Sequence, residues 1–184
     1  MTTPRLKQDY LKRVVPALVT RFGYKNGHQV PRLLKVVVNT TTKDAVADVK
    51  VLDIIGEDIG AITGQRVCRT VAKRAISTYK IREGLPLGVK VTLRGDRMFE
   101  FIDRLFNFAA PRIRDFRGFK PDSFDGRGGY SLGLQEQAIF PELEVSKVKK
   151  IFGMNITFHT TARHDDEARA LLEELGLPFA KGKQ

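Results

Sequence analysis

The 184-residue chain lacks the features that mark exported and membrane proteins. Its single cysteine, Cys68, cannot form an internal disulfide, and no apolar run reaches the roughly 18 residues that a membrane helix needs. The first residues, MTTPRLK, do not form the apolar block of a secretory signal peptide. We therefore expect a soluble protein of a reduced intracellular compartment, with Cys68 as a small packed residue.

The sequence also lacks the residue groupings of common catalytic and metal sites. Its three histidines, His28, His159 and His164, are scattered and have no Cys or acidic partners at zinc-ligand spacing. The glycines of residues 126–129 lack the strand-to-helix context and the Lys-Ser/Thr ending of a phosphate-binding loop. We predict no catalytic residue, no metal site and no cofactor. An RNA-modifying enzyme is the leading alternative of another class, with a free RNA chaperone behind it.

Positive charge is abundant and unevenly distributed. The chain carries 32 basic and 21 acidic residues, for a net charge of +11. Residues 5–35 contain eight basic side chains and one acid, and residues 63–94 contain eight with only Glu83 against them. Residues 36–62 are net negative, and the chain from Asp96 onward is balanced. Because neutralising phosphates releases counterions, we expect a polyanionic partner that meets a basic face in the N-terminal half.

Hydrophobic periodicity predicts four helices and four strands. Apolar residues recur at every fourth position from Leu6 to Phe22, with a kink or break at Pro16 and an end at Gly23. Some strand connections are too short for a crossover helix, which favours an antiparallel sheet. We predict one α+β domain over residues 1–184, a two-layer sandwich with a mainly antiparallel sheet, helices packed on one face and long protruding loops. The other predicted elements are helices capped by Asp44, Asp96 and Asp165 and strands at residues 33–39, 66–70, 88–94 and 155–161.

A long basic connection at about residues 71–87 joins two of the predicted strands. Within it, KRAISTYKIR (73–82) interleaves four cations with the aromatic ring of Tyr79. Such spacing suits phosphate contacts and one stacking contact on folded RNA. The alternative is a solvated amphipathic helix with Ala75 and Ile76 facing inward. We predict a basic protruding loop.

The segment RIRDFRGFKPDSFDGRGGY (112–130) combines four Arg, one Lys, four aromatics and four Gly without a hydrophobic period. Guanidinium groups can bind phosphates or carboxylates, and the rings offer stacking faces, so the composition is typical of an interaction loop. Two alternatives stay open. The rings of Phe116, Phe119 and Phe124 can anchor the loop to the protein body, and its aspartates can neutralise the neighbouring arginines.

Four polar residues lie in or at the ends of predicted strands, namely Asn39, Gln65, Thr92 and Arg94. They can form a polar sheet face that contacts RNA sugars and base edges. The alternative is ordinary solvation of a sheet edge, and the residues alone do not decide between the two.

Five runs, which follow one another in order, carry a resemblance to a known family. They are AITGQ (61–65), KIREGLPLGVKVTLRGDRMFEFIDRL (80–105), PRIRDFRGF (111–119), SFDGRGGYSLGLQEQAIFPEL (123–143) and GMNITFHTTARHDDEARALLEELGLPF (153–179). In these runs the chain resembles the bacterial-type large-subunit ribosomal protein number five. The resemblance covers essentially the whole chain.

The resemblance implies a non-enzymatic ribosomal protein that binds 5S rRNA, helps attach it in the central protuberance, contacts peptidyl-site tRNA and contributes to an intersubunit bridge. The implied partners are 5S rRNA, 23S rRNA, peptidyl-site tRNA, neighbouring large-subunit proteins and a small-subunit head protein, without a membrane. The implied location is the cytoplasmic ribosome, and an organellar ribosome stays open.

The resemblance also assigns residues to these contacts. Those implied to bind ribosomal RNA are Asn39, Thr40, Thr41, Lys43, Gln65, Arg66, Arg69, Thr92 and Arg94. Those implied for the loop beside tRNA are Lys73, Arg74, Ser77, Tyr79, Lys80 and Arg82. Those implied for the intersubunit or protein contact are Arg112, Arg114, Asp115 and Arg117.

The chain departs from the family pattern at two places. Residues 40–43 are Thr-Thr-Thr-Lys after Asn39, where the family usually has Asn-x-Gly-x-Gly, and Gly129 replaces the usual Asn before a Tyr. Because β-branched Thr resists the conformations that Gly permits, we predict a different path for this turn. We also predict that binding of 5S rRNA persists through the rest of the sheet.

Overall fold

The computed structural model describes residues 3–144 and 150–180. The fold is α+β with a five-stranded, mainly antiparallel sheet in the order β2-β3-β1-β5-β4, as predicted. The strands are β1 (Leu33–Thr41), β2 (Cys68–Val71), β3 (Pro86–Leu93), β4 (Tyr130–Leu134) and β5 (Met154–Thr160). The α-helices are α1 (Arg5–Asp9), α2 (Val15–Phe22), α3 (Val51–Thr63), α4 (Gly95–Arg104) and α5 (Asp165–Glu174).

The predicted N-terminal helix is present but contains a π-helical turn at Tyr10–Val14, between α1 and α2. Pro16 lies in the first turn of α2, directly after this turn. Proline has no N–H to donate and its ring crowds the carbonyl four residues back, so a widened turn lets the helical path continue past it. The helix ends as predicted at Gly23, whose φ of 67° is left-handed and whose N–H donates to the Val19 carbonyl at 2.9 Å.

The three predicted aspartate caps are wrong. Asp44 lies in a separate 3₁₀ helix (Lys43–Val46), and α3 begins only at Val51. Asp96 and Asp165 lie inside the first turns of α4 and α5, and the cap positions are occupied by Arg94 and His164, both in extended conformation. An acidic residue near a helix N-terminus is favoured by the helix dipole at several positions, so composition alone does not fix which residue is the cap.

Strand boundaries differ from the prediction by one to two residues at most ends, and β4 was not predicted. It directly follows the Gly-rich run 126–129, which is typical of a loop, and its alternation of buried and exposed residues, YSLGL, covers only five positions. Cys68 begins β2 and is exposed, so the expectation of a packed cysteine is wrong. Its strand places it opposite Lys90 of β3, at the edge of the sheet.

The chain forms two compact units, each assembled from separate stretches of sequence. Unit 1 comprises residues 1–36, 94–132 and 157–184, and unit 2 comprises residues 37–93 and 133–156. The prediction of a single domain stays a prediction. None of the helices in the described ranges has the length and apolar composition needed to span a bilayer.

Each unit buries its own apolar side chains. In unit 1 the fully buried residues include Phe101, Tyr130 and Phe158, and the rings of Tyr130 and Phe158 lie 6.2 Å apart. In unit 2, α3 packs on β3 and buries Ile55 and Ile59. Aromatic pairs of this kind add to the stabilisation from buried area.

Candidate nucleic-acid interface

The sheet of unit 2 has one apolar and one polar face. Along β3, Val89, Val91 and Leu93 are buried, whereas Lys90 is exposed and Thr92 is half-exposed. Side chains of a strand alternate between the two faces, and directly paired residues share a face. The register Cys68↔Lys90 and Thr70↔Gly88 therefore places β2 residues beside those of β3. We call the polar surface the open face, made of Asn39, Thr41, Cys68, Thr70, Lys90 and Thr92.

Gly88 marks the closest approach of strands on the open face. A Cβ atom at this position would lie 2.3 Å from the Thr40 carbonyl oxygen and 3.0 Å and 3.1 Å from the hydroxyl oxygens of Thr70 and Thr41. No side chain fits between these groups, and Gly88 itself is buried. Glycine therefore lets the strands pack closely here, and the hydroxyls of Thr41 and Thr70 lie beside its backbone.

The predicted contacts Asn39, Thr41 and Thr92 lie on the open face, and Gln65 lies beside them. The Gln65 side chain donates through Nε2 to the Thr92 carbonyl at 3.2 Å, which ties the loop after α3 to β3. Thr40 lies on the opposite, covered face. Its hydroxyl is buried and donates to the Gly153 carbonyl at 2.5 Å, so the open face does not include its side chain.

Residues 40–42 adopt ordinary extended backbone, Lys43 begins the 3₁₀ helix, and none of the four has the positive φ that favours glycine. Strand β1 continues through Thr41, and Thr42, with φ −129° and ψ 140°, accepts the Asp44 N–H on its hydroxyl at 3.3 Å. The threonines thus suit the path that the chain takes here, because β-branched residues favour extended conformations. The predicted difference from the glycine-containing path stays a prediction.

Arg69 differs from the other predicted cations of this region. It pairs with Val89, on the covered side of the sheet, and its guanidinium binds the Asp53 carboxylate of α3. Arg66 and Lys43 are exposed in the loop after α3 and in the turn after β1. Arg66 has no carboxylate partner among the described residues, whereas the Lys43 ammonium is close enough to Asp44 to help lower the pKa of that carboxyl.

The segment that extends from β2 and β3 is a hairpin, which we call the arm (residues 72–85). Ala72 and Ile76 bond across to Leu85 and Ile81, and a 3₁₀ turn at Ser77–Tyr79 closes the tip. A bulge between Thr70 and Val71 lies where the arm leaves the sheet. The alternative of an amphipathic helix is wrong, because the backbone is a hairpin and Ile76 is exposed.

The arm keeps its charge free of internal partners. Within residues 3–144 and 150–180, no carboxylate pairs with its four cations, and their side chains are exposed. Tyr79 exposes 69% of its surface at the tip. The arm therefore offers cations and a ring to a partner, in the arrangement Lys73, Arg74, Ser77, Tyr79, Lys80 and Arg82 predicted from sequence.

The N-terminal basic block (residues 5–35) behaves differently. Four of its cations bind acids of the balanced part of the chain, all inside unit 1. The pairs are Arg5–Asp103 at 2.7 Å, Lys7–Asp96 at 2.7 Å, Arg13–Glu174 at 3.3 Å and Arg21–Glu173 at 3.6 Å. Half of this block is thus neutralised within the fold, and the arm is the stronger candidate for phosphate contacts.

Aromatic rings hold the arginine segment (residues 112–130) against unit 1. Phe116 and Phe119 meet edge to face at 4.9 Å, and Phe124 lies 4.7 Å from Tyr130 and 6.2 Å from Phe179. Phe119 also exchanges backbone hydrogen bonds of 2.8 Å with Pro178 and Ala180. The anchoring alternative for these rings therefore describes the structure.

The aspartates of the arginine segment do not neutralise its arginines. Asp125 instead accepts the N–H groups of Arg127 and Gly129 at 2.9 Å and 2.8 Å, which hold the pKa of its carboxyl below the usual range. A Cβ at Gly129 would lie 2.4 Å from this carboxylate, so glycine permits the Asp125 turn. In the same turn, Gly126 and Gly128 donate their N–H groups to the Asp165 carboxylate of α5.

The arginines of the arginine segment lie at the surface. Arg112, Arg114 and Arg117 are exposed, and none has a carboxylate partner in the described part of the chain. Asp115 sits between them with a φ of 53°, a left-handed conformation that Asp tolerates better than most residues. The segment therefore presents exposed guanidinium groups on a loop that its aromatic rings hold against unit 1.

Two further features bear on the chemistry. The described residues contain no cluster of His, Cys, Asp or Glu suited to a metal ion. Burial lowers the pKa of His159, and Lys35 adds to the effect, so this imidazole is neutral at physiological pH.

Sequence reasoning missed Lys90, Cys68 and Thr70 as members of the open face. The alternation within GVKVTLR already places Lys90 beside Thr92 and could have identified it.

The chain is similar to known ribosomal proteins along nearly its whole length. The family described as ribosomal protein L5 matches residues 26–82, and the model for the C-terminus of the same ribosomal family matches residues 86–179. A relative from Thermoanaerobacter sp. is 56% identical over 177 residues, covering 96% of this chain and 99% of its own. Relatives from Flavobacterium johnsoniae and Trichodesmium erythraeum are 53% and 56% identical, covering 97% and 95% of this chain and 98% and 96% of their own. All three are named large ribosomal subunit protein uL5.

Proposed function

The chain belongs to the ribosomal protein L5 family, and we propose that it holds 5S rRNA in the large subunit through the open face of unit 2. As a member of this family it is a structural constituent of the large ribosomal subunit and not an enzyme, and it works on the cytoplasmic ribosome. The proposals below concern which RNA and protein partners each surface meets.

The observation that carries the 5S rRNA proposal is the contrast between the two faces of the sheet. The covered face is mainly apolar, whereas the open face presents amide, hydroxyl and ammonium groups. RNA is recognised largely through sugar hydroxyls, phosphates and backbone shape, which such groups can contact. The exposed side chains of Arg66 and Lys43 add positive charge beside this face.

The test compares affinity for 5S rRNA with affinity for an unrelated RNA hairpin of equal length at moderate salt. Lys90→Gln removes the ammonium from the open face, and Lys50→Gln removes an exposed ammonium from the turn before α3 as the matched control. We expect tighter binding to 5S rRNA than to the hairpin, and a loss of affinity for K90Q but not for K50Q. Equal affinities for the two RNAs would reject the proposal.

We further propose that the arm contacts peptidyl-site tRNA. Its unpaired cations and exposed Tyr79 support this, because phosphate contacts together with one stacking ring suit a folded RNA. Ribosomes that carry the variant Tyr79→Ala should release peptidyl-site tRNA faster, while their content of 5S rRNA stays unchanged. If these ribosomes lose 5S rRNA instead, the arm binds 5S rRNA and the proposal of a tRNA contact is wrong.

The arginine segment supports a third proposal, a contact with a small-subunit head protein in an intersubunit bridge. Arg112, Arg114 and Arg117 are presented on a loop that aromatic rings fix in place, and a guanidinium group binds a carboxylate through two parallel hydrogen bonds. Arg114→Gln should weaken subunit association in a light-scattering titration. Contacts of the same segment with 23S rRNA or with neighbouring large-subunit proteins are part of this proposal.

A further inference from the structure

The stretch directly before β5 joins the turn after β1 to the rest of unit 2. We call it the bridging segment (residues 150–153). It bonds to Thr40 and Asp44 on one side and to Gln137 on the other, and all of these residues belong to unit 2. Its bonds to Asp44 and Thr40 join residues that are 106 and 113 positions apart.

Gln137 is the anchor of the bridging segment. Its side chain is fully buried in a 3₁₀ helix (Gln137–Ile139) that follows β4. Its Nε2 donates to the Lys150 carbonyl at 2.5 Å, and its Oε1 accepts the Phe152 N–H at 2.9 Å. Leaving a buried polar group without its partner costs more free energy than an ordinary hydrogen bond contributes. The backbone of residues 150–152 is therefore held in place by one buried amide.

Two bonds run from the bridging segment to the turn after β1. The Lys150 ammonium binds the Asp44 carboxylate, and the buried Thr40 hydroxyl donates to the Gly153 carbonyl at 2.5 Å. Lys150, and after it Lys43, holds the pKa of the Asp44 carboxyl below its usual range, so this group is ionised at physiological pH. The two bonds therefore tether the chain on both sides of residues 41–43.

The tethered residues are those that the open-face proposal needs. Thr41 belongs to the open face, and Lys43 is exposed beside it. The Thr42 N–H also donates to the Leu87 carbonyl at 3.1 Å, which ties the turn to β3. Binding groups that are held in position before the RNA arrives lose less free energy to ordering. The bridging segment thus supports the RNA-facing side of the turn from behind.

We propose that Gln137, Lys150 and Asp44 are positioning residues for 5S rRNA, which hold Thr41 and Lys43 in the conformation that binds the RNA without touching it themselves. The proposal rests on the binding of 5S rRNA proposed above. Asp44 is the most informative of the three, because an acid beside a surface for a polyanion should repel it. A repulsive role and a positioning role therefore predict opposite effects of its removal.

The test is a double-mutant cycle on the ratio of the affinity for 5S rRNA to that for the unrelated hairpin. Asp44→Asn raises the net charge from +11 to +12 and Lys150→Gln lowers it to +10, yet both break the same ion pair. We expect each to lower the ratio by about 2-fold to 5-fold, the range for a partly exposed pair. The double variant D44N/K150Q should lose no more than either single variant, because the pair can be broken only once.

Gln137→Met tests the anchor, since it removes both hydrogen bonds and nearly keeps the side-chain volume. The affinity ratio should fall by about 5-fold to 30-fold, because buried backbone groups lose their partner. The Thr42 amide should exchange its hydrogen faster in Q137M and in D44N, since the turn opens more often in both. If thermal melting shows that Q137M does not fold, D44N and K150Q still test the proposal, because their pair is partly exposed.

Glu57→Gln and Lys50→Gln are the matched controls. They make the same two charge changes at exposed positions of unit 2, on α3 and directly before it, and should leave the ratio unchanged.

The outcomes separate this inference from the proposed function. An unchanged ratio in D44N and K150Q, shifts in opposite directions, or losses that add in the double variant would each refute the positioning role. The open-face proposal would stand in those cases if wild-type binding is specific and K90Q weakens it. Equal affinities of the wild-type chain for the two RNAs would reject the proposed function, and this inference with it.

Discussion

Charge that is free and charge that is already paired should respond differently to salt in RNA binding. We consider two quadruple variants that each lower the net charge by four, from +11 to +7. The arm variant carries Gln at residues 73, 74, 80 and 82. The paired variant carries Gln at residues 5, 7, 13 and 21, each of which has a carboxylate partner in the fold.

The expected magnitude follows from counterion release. Each phosphate that a protein cation neutralises contributes about 0.7–0.9 to the slope of log affinity against log salt concentration. If all four arm cations bind phosphates, the arm variant should lose roughly 3 from the slope. The paired variant should lose less than about 1, because its cations already bind carboxylates and are not available to phosphates.

The assay is filter binding of a tRNA transcript over about 50–200 mM salt, a range in which six to ten phosphate contacts change affinity by about three to five orders of magnitude. Thermal melting of both variants checks that they fold, since exposed ion pairs stabilise proteins only modestly. Equal slopes for the two variants would refute the reasoning, because they would show that RNA senses only the total charge.

Three further changes test the packing around the site. Gly118→Ala adds a Cβ at a φ of 109° and 2.4 Å from a backbone nitrogen, whereas the Cβ of Gly126→Ala, at a φ of 80°, meets nothing within 4 Å. In urea unfolding, the free energy of unfolding of G118A should therefore be about 1–3 kcal/mol lower than that of G126A. Asp165→Asn weakens the acceptor of two loop amides and should speed their hydrogen exchange, whereas Asp166→Asn, with the same change in charge, should not. Burial raises the pKa of Tyr130 to about 12, so between about pH 10 and 12 the unfolded chain releases a proton that the native chain keeps, and stability falls as pH rises. Tyr130→Phe should flatten that fall by about 1.4 kcal/mol per pH unit, which unfolding curves at pH 9, 10 and 11 would measure. An unchanged pH dependence in Y130F would show that the hydroxyl titrates alike in both states.

The fold class was predictable because hydrophobic periodicity depends on local sequence. The helix ending at Gly23 and the strand alternation of GVKVTLR follow directly from residue order, and both are confirmed. The π-helical turn before Pro16 was less predictable, because proline can break, kink or widen a helix and packing selects among these. The missed strand β4 shows that a five-residue alternation is easily overlooked when it directly follows a glycine-rich run.

The candidate site was predictable in its residue types but less so in its geometry. Asn39, Thr40 and Thr41 were grouped as contacts, yet β1 runs through all three, so the middle side chain lies on the covered face. A prediction that extended the strand by two residues would have separated them. Arg69 likewise needed the register of β2 against β3 to reveal its position beside Asp53.

The charge map shows the clearest limit of sequence reasoning. Arg13 and Glu174 are 161 positions apart, and Tyr24 donates to Glu167 across 143 positions. No local pattern predicts such pairs, so the N-terminal basic block counted as free charge although half of it is bound. Only the tertiary fold distinguishes this block from the arm.

The same long separations impose an order on events during synthesis. A ribosome adds about 5–20 residues per second, so roughly 10–30 s pass between the appearance of Arg13 and that of Glu174. During that interval Arg13 and Arg21 of the nascent chain lack the acids that they bind in the finished fold, in surroundings rich in RNA. Helix α5 is therefore synthesised after the rest of the fold. Once it packs, these two cations are paired with its acids and no longer compete with the open face and the arm for RNA.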